Sequence, residues 1–283
     1  MTMTLTPFVR PGAPPVGFQI VLRRTGSPVL CQDAAARRAF SGALLRVGKD
    51  RGLLAFGAAD THGHILMVGD RTMAGELAHA AETALAYALP SPVGFGAAEI
   101  TVVRDQAHLV STFRYVQRNA AHHGVTEPGA TEASSLHDLL GLRIVAPWLG
   151  FRVRRLLPRT TRDELLELMN LPTLGVSGEP SPSTLAPAAA AAIGRADLRG
   201  DEPMVVAVRT AAVALVRDAW RPAEIGRALG LTERSVRRHS TREARADVLE
   251  GLRRQLAWRA AVAMAPDALS QIVPCARGVG RRG

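Results

Sequence analysis

Short β-rich runs alternate with alanine-rich helical segments over the first 125 residues, and this order constrains the fold more than any other feature of the chain. The runs typical of strands are 17–24, 53–58, 63–68 and 98–104, and apolar residues have helical spacing at 33–50, 72–89 and 106–122. The order β-α-β-β-α-β-α predicts an α+β domain. We expect a ferredoxin-like antiparallel sheet with helices on one face, built from residues 17–126.

The rest of the chain divides by composition. Four prolines predict a disordered N-terminus over residues 1–16. Residues 127–200 are interpreted as a connector and a proline-rich linker, and the segment 171–187 has the clearest linker composition. An all-α domain is expected over residues 201–265, followed by a basic tail over 266–283.

The composition excludes several classes of protein. With 47 % hydrophobic and 21 % charged residues, the chain is neither wholly disordered nor fibrous. It has no apolar run of the roughly 18 residues that a membrane-spanning helix needs, and no apolar signal-peptide region. The two cysteines, Cys31 and Cys275, are too far apart in the sequence to favour a zinc site or a disulfide framework. We expect a cytoplasmic protein with no membrane partner, and the net charge of +10 favours a polyanionic partner such as nucleic acid.

Two histidines, His62 and His64, flank Gly63 in the third β-rich run. Because side chains alternate along a strand, both imidazoles point to one face and lie close enough to share an ion. A His-x-His pair more often belongs to the surface or to a satisfied core than to a metal site. The pair therefore indicates a metal site only in combination with other residues.

Tyr115 and Asn119 supply that combination, because residues four apart project from the same face of a helix. Two imidazole nitrogens and an amide oxygen can hold Mn²⁺ or Mg²⁺ and leave positions open for a phosphate oxygen. A tyrosine oxygen at the same point can attack that phosphate, form a phosphotyrosine and release a 3′ hydroxyl. The alternative is that Tyr115 is a half-buried helix tyrosine and Asn119 an early C-cap.

These residues resemble a known family, the HUH single-tyrosine transposases, and are most similar to its REP-associated branch. The strand Thr61-His62-Gly63-His64-Ile65-Leu66 resembles the family's Asn-His-x-His-Leu-Leu strand. The segments Ala107-His108-Leu109, Arg114-Tyr115-Val116-x-x-Asn119 and Gly124-Val125 resemble the helix that carries the family's tyrosine. The resemblance covers roughly residues 17–125.

The resemblance implies a chemistry and a set of roles. His62, His64 and Asn119 would be the ligands of a Mg²⁺ or Mn²⁺ cofactor, and Tyr115 would be the nucleophile. The implied activity is cleavage and strand transfer of single-stranded DNA beside a hairpin or repeat, through a 5′-phosphotyrosine. Members of the family are monomers or dimers that share tyrosines, and we expect a monomer here.

Three departures from the family pattern favour an alternative function. Gly63 stands where a bulky apolar residue is usual, and Asn119 is followed by Ala120 instead of proline. The family's glycine-rich, aromatic and basic stretch before the last strand is reduced to residues 91–96. We expect Gly63 to remove core packing and to loosen its strand. The alternative is a non-catalytic, domesticated DNA-binding or regulatory protein that retains the transposase scaffold.

Residues 221–239 carry the pattern of a helix-turn-helix unit. Pro222 is suited to a helix start, Gly230 to a tight turn and Thr232 to the N-cap of a second helix. The expected small core consists of Ile225, Leu229, Leu231 and Val236. The residues expected to contact DNA in the major groove are Arg234, Ser235, Arg237, Arg238 and His239.

The charge of the C-terminal region favours duplex DNA as its partner. From residue 221 onwards the chain has 13 arginines and 6 acidic residues, so that +7 of the net charge of +10 lies there. The unit resembles helix-turn-helix domains that are appended to some REP-associated transposases. The alternative is a solvated amphipathic hairpin.

Overall fold

The computed structural model describes residues 14–59, 61–119, 130–169 and 180–264. Within these ranges the protein is α+β, with a four-stranded antiparallel sheet and a larger helical part. The elements of the first part are β1 (Gly17–Arg23), α1 (Ala34–Gly48), β2 (Leu53–Ala58), β3 (His62–Met67), α2 (Arg71–Ala88), β4 (Glu99–Val103) and α3 (Gln106–Gln117). Most of the predicted disordered N-terminus, the whole predicted basic tail and the Gly124-Val125 match lie outside the described residues.

The second part begins with a 3₁₀ helix, Ala130–Ala133, and continues as helices. These are α4 (Leu136–Leu139), α5 (Pro147–Leu156), α6 (Arg162–Leu168), α7 (Leu185–Ala192), α8 (Pro203–Val216), α9 (Pro222–Leu229), α10 (Glu233–Ser240) and α11 (Ala246–Met264). Much of the predicted proline-rich linker, residues 171–179, lies outside the described ranges. In the part of the chain that the structure describes, no helix combines the length and the apolar character needed to cross a membrane.

Aspartates begin the three helices of the first part. Asp33, Asp70 and Asp105 each accept a hydrogen bond, through a side-chain oxygen, from the backbone N–H three residues further on, at 2.7–2.8 Å. Each bond satisfies an N–H group that has no partner within the first helical turn. The N-cap that the sequence predicts at Asp33 is confirmed.

The sheet has the strand order β2-β3-β1-β4, and every neighbouring pair is antiparallel. Strand β1 is interior, and its side chains alternate between the two faces of the sheet, as in any β-strand. Phe18, Ile20 and Leu22 pack with α1 and α2 in one hydrophobic core. The intervening Gln19 and Arg23 therefore point to the opposite face.

The opposite face is partly covered by α3, whose Phe113 and Val116 pack against Leu66 of β3. Helices α4, α5, α6 and α11 contribute to the same core. The expectation that helices cover only one face of the sheet is therefore wrong. The physical reason is that residues 136–157, interpreted as a connector, bury apolar side chains under the sheet, among them Leu136, Leu140 and Val153.

Helix α11 packs against both parts of the protein. Its first half places Val248 and Leu252 in the C-terminal core, and its second half places Trp258 in the core beneath the sheet. The buried carboxylate of Glu132 pairs with Arg259 of α11 and, at 2.9 Å, with Arg38 of α1. These contacts join the C-terminal helices to the sheet.

Helices α9 and α10 are joined by a turn of three residues, 230–232. Gly230 has a φ of 65°, a left-handed conformation that glycine adopts at little cost. The side chain of Thr232 accepts a hydrogen bond from the N–H of Ser235 at 3.2 Å and so caps α10, as predicted. The predicted core residues Ile225, Leu229 and Val236 are buried, and Leu231 is half-buried.

The end of α3 lies directly against strand β2 at Gly57. A Cβ atom at this position would lie 2.5 Å from the carbonyl oxygen of Val116, closer than non-bonded atoms approach. Gly57 is also the residue that pairs with His64 on the neighbouring strand β3. The absence of a side chain here allows the backbone of α3 to approach the sheet beside the two histidines.

We predict that Gly57→Ala lowers the free energy of unfolding by about 1–3 kcal/mol, because α3 must move away from β2 to admit the methyl group. Urea denaturation measures the change. Gly75→Ala is the matched control, since a Cβ atom there would meet only Arg71, at 3.9 Å, within α2. It should raise the stability by about 0.5–1 kcal/mol. Equal stability of Gly57→Ala and the wild type would contradict the close approach.

Candidate active site

The two histidines of β3 lie side by side on the face of the sheet that α3 covers. The ring centroids of His62 and His64 are 4.8 Å apart, and the planes meet at 79°. His64 is 5 % exposed, whereas His62 is half-buried and its Nδ1 lies 3.2 Å from the hydroxyl of Thr61. The strand alternation expected from the sequence therefore places both imidazoles on one face.

Tyr115 of α3 meets the histidine pair. Its hydroxyl oxygen lies 3.4 Å from Nε2 of His64, and the ring centroids are 5.1 Å apart. Tyr115 is 38 % exposed, so solvent reaches part of this residue. Burial of the remainder raises the pKa of the Tyr115 phenol above its ordinary value. The hydroxyl is therefore protonated at neutral pH and requires activation to act as a nucleophile.

Asn119 follows α3 immediately after its C-cap, Arg118. It is fully buried, and a Cβ atom built on Gly57 would lie 3.7 Å from the Asn119 Cβ. Asn119 thus sits over the residue that pairs with His64. Among the described residues, neither its Oδ1 nor its Nδ2 has a hydrogen-bond partner. Since the cap is Arg118, the alternative of Asn119 as a C-cap does not describe this residue.

The donor set fits a divalent cation. A buried amide without hydrogen bonds carries a desolvation cost of about 1–3 kcal/mol, and a cation bound by its oxygen would offset that cost. Two imidazole nitrogens and one amide oxygen suit Mn²⁺ and accept Mg²⁺. Within the described ranges, no cluster of three or more His, Cys, Asp or Glu side chains is placed to hold a metal. A cation at this point would therefore depend on Asn119 and the two histidines.

Gly63 has a packing partner that the sequence did not reveal. A Cβ atom at Gly63 would lie 2.8 Å from Cζ of Phe40, a fully buried residue of α1. The phenylalanine ring occupies the space that a bulky side chain at residue 63 would take. The core is therefore filled from the helix, and the expectation that Gly63 removes core packing is wrong.

Sequence reasoning missed two residues beside the histidines. The side-chain Nε2 of Gln19 lies 2.9 Å from Nδ1 of His64, and Arg23, which is exposed, pairs with His62 across β1 and β3. Both belong to the run Gly17–Arg23 and lie on the face opposite to the core residues Phe18, Ile20 and Leu22. Polar residues on one face of an interior strand were the signal that could have found them.

The predicted DNA-contacting residues of α10 differ in their exposure to solvent. Arg234, Arg237 and Arg238 are exposed, and Arg237 lies 3.5 Å from Glu233. Ser235 is half-buried, and its Oγ accepts a hydrogen bond from the Thr232 hydroxyl.

His239 is a correction, because it does not face the solvent. It is 2 % exposed, and its Nδ1 lies 2.9 Å from the hydroxyl of Thr210 on α8. Burial, with Arg242, Arg238 and Arg209 nearby, lowers its pKa. His239 lies on the side of α10 that packs against α8. It therefore holds α10 in place, and it does not point outwards to a DNA major groove.

The structure thus brings His62, His64 and Tyr115 together beside the sheet, with Asn119 next to Gly57 on the adjacent strand. The arginines of α10 lie on another element, packed on α8 and α9. Comparison of the chain with protein-family models, with curated proteins and with solved structures found no match in any of the three.

Proposed function

We propose that the protein cleaves and transfers single-stranded DNA in a reaction that depends on a divalent metal and forms a 5′-phosphotyrosine. The observation that carries the proposal is the 3.4 Å contact between the Tyr115 hydroxyl and Nε2 of His64, a candidate metal ligand. Attack requires the reacting oxygen and phosphorus to lie about 3–3.5 Å apart, so we expect a phosphate held beside His64 to come within reach of this hydroxyl. A distance beyond about 8 Å would have favoured a protein without this chemistry.

The scaffold supports the same proposal. The connectivity β1-α1-β2-β3-α2-β4, with the strand order β2-β3-β1-β4, is compatible with the ferredoxin-like arrangement that we propose. The HUH single-tyrosine transposases, which the sequence resembles, place two histidines on a strand and a tyrosine on the helix that covers it. In this chain β3 carries His62 and His64 and α3 carries Tyr115, and this arrangement supports the proposal.

The mechanism follows from the positions of these side chains. His62, His64 and Asn119 would hold Mn²⁺ or Mg²⁺, which supplies Lewis acidity to a phosphate oxygen. The Tyr115 oxygen forms a bond to phosphorus, the bond from phosphorus to the 3′ oxygen breaks, and the phenolic proton is lost as the 3′ oxygen gains one. The phosphotyrosine conserves the energy of the broken bond, so the strand can be joined to another 3′ end without ATP.

Tyr115 and the two histidines meet within one chain. A proposed active site whose tyrosine and histidines come from one chain needs no tyrosine from a second subunit. This supports a monomeric enzyme, in contrast to dimers that exchange tyrosines.

We further propose that α9 and α10 form a helix-turn-helix unit for duplex DNA flanking the cleaved strand. The short turn with a left-handed Gly230 fits the motif, as does the capped second helix. Three exposed arginines on α10 provide contacts for phosphates or base edges: Arg234, Arg237 and Arg238.

The second candidate function is a DNA-binding or regulatory protein without catalysis. The specific observation in its favour is the stretch 91–96, which contains no lysine or arginine where the family has a basic segment. Metal binding separates the two candidates, because a regulator has no need of the cation.

We predict that Tyr115→Phe abolishes a covalent protein–DNA adduct that the wild type forms with single-stranded hairpin DNA and Mn²⁺. Denaturing electrophoresis of a labelled hairpin library detects the adduct. Tyr87→Phe is the matched control, since Tyr87 is the other tyrosine of the chain and is 89 % exposed on α2. Adduct formation that persists in Tyr115→Phe, or is absent from the wild type with every hairpin, would contradict the proposal.

A second prediction concerns the metal alone. Calorimetry should show saturable Mn²⁺ binding to the wild type that is lost in His62→Ala and in His64→Ala, because each removes one nitrogen ligand. His79→Ala on the exposed face of α2 should bind as the wild type does. A wild type that binds no Mn²⁺ would favour the regulatory protein.

A third prediction concerns the C-terminal unit. Arg237→Ala combined with Arg238→Ala should lower the affinity for duplex-flanked DNA several-fold at moderate salt, with a salt slope reduced by about one unit per lost phosphate contact. Cleavage of a short, saturating single strand should remain nearly unchanged, because the metal ligands lie on other elements. The control is Arg154→Ala with Arg155→Ala, two adjacent exposed arginines of α5. Equal salt slopes for wild type and the α10 variant would refute this role for α10.

A further inference from the structure

We infer that Gln19 is a positioning residue for His64, because the orientation of its side-chain amide sets which ring nitrogen of His64 carries the proton. The position of the proton determines whether Nε2 can bind a cation. The inference rests on the proposed function, since it assigns a role in the proposed metal site to a residue that does not itself hold the metal.

The geometry places Gln19 behind the histidine. Gln19 lies on the interior strand β1, where Val21 pairs with His64 and Gln19 pairs with Leu66. Its side chain reaches diagonally across the face to Nδ1 of His64, at 2.9 Å, while Tyr115 approaches Nε2 from α3. The ring of His64 is thus contacted at both nitrogens, and its 5 % exposure leaves little access for water to replace either contact.

The observed contact corresponds to one tautomer. An amide nitrogen only donates hydrogen bonds, so Nε2 of Gln19 donates to Nδ1 of His64, which accepts. The proton of the neutral ring is then on Nε2, which faces the Tyr115 hydroxyl. In this tautomer Nε2 of His64 has no lone pair for a cation.

A rotation of the Gln19 amide by 180° gives the other tautomer. The Oε1 atom then faces Nδ1 and accepts its N–H, and the proton lost from Nε2 to solvent is matched by the one gained at Nδ1. The lone pair of Nε2 becomes the ligand, and the second hydrogen bond fixes the orientation of the ring, as outer partners do at metal-bound histidines.

Glutamine is suited to both states because one end of its amide donates and the other accepts. A carboxylate at residue 19 would accept only and would favour the tautomer that binds metal. A methionine of similar length would support neither tautomer. The identity of residue 19 should therefore control Mn²⁺ affinity without contact between this residue and the ion.

Calorimetry with Mn²⁺ on the full chain tests the inference. Gln19→Met should weaken binding by about 10-fold or more, the loss typical of removing an outer-shell partner. Gln19→Glu should bind at least as tightly as the wild type. Thr101→Ala is the matched control, because Thr101 pairs with Gln19 on β4 and is exposed on the same face; it should leave the affinity unchanged.

Nitrogen-15 NMR of the metal-free protein shows which ring nitrogen of His64 carries the proton. If Gln19 only supported the fold, its substitution would not change this position. The wild type should show the proton on Nε2, and Gln19→Glu should show it on Nδ1. This variant also keeps the test open if Gln19→Met does not fold.

The outcomes separate the inference from the proposed function. Equal Mn²⁺ affinity in the wild type and in folded Gln19→Met, or one tautomer in both wild type and Gln19→Glu, would overturn the inference and leave the metal site standing. A wild type that binds no Mn²⁺ would overturn the metal site and the inference together.

Discussion

The contact between the backbone of α3 and strand β2 at Gly57 determines the rest of the site. The carbonyl oxygen of Val116 occupies the place of a side chain at residue 57, so helix and sheet meet without an intervening layer. One residue before this contact Tyr115 reaches His64, and three residues after it Asn119 lies over Gly57. A displacement of 1–2 Å, on the order of the helical rise per residue, would take the hydroxyl out of the range that the proposed attack requires.

The C-terminal helices pack against α3 and so stabilise its contact with β2 at Gly57. Trp258 of α11 packs in the same core as Phe113 and Val116 of α3, and the carboxylate of Glu132 ties Arg259 of α11 to Arg38 of α1. Glu132 and Arg38 are buried and Arg259 is partly buried. Burial of charged groups is costly unless they are paired, so Glu132 favours one arrangement of these helices. The proposed DNA-binding unit and the proposed catalytic helix therefore share one supporting helix.

Local sequence patterns predicted the strands and helices. The features that these patterns missed depend on contacts between residues far apart in the sequence. The strand alternation, the aspartate cap at Asp33 and the turn at Gly230 depend on neighbouring residues, and each was read from the sequence. Gln19 and His64 are 45 residues apart, and their contact requires the register of β1 against β3. The filling of Gly63 by Phe40 and the burial of His239 against Thr210 likewise depend on which elements pack together. Periodicity along one element contains no such information.

The proposed ligands are all neutral, so the affinity for a cation would depend strongly on how these side chains are oriented. In the described part of the chain no carboxylate or thiolate joins His62 and His64 in a cluster, so a bound cation would keep its full charge for the DNA phosphate. Without an anionic ligand, the attraction for the cation depends on correctly directed lone pairs, and a wrong tautomer at His64 removes one of them. In the proposed complex, phosphate and cation would stabilise each other, because binding of one raises the affinity for the other and the factor is the same in both directions. A neutral site held in register by Gln19 and α3 would thus bind its cation most firmly when DNA is present.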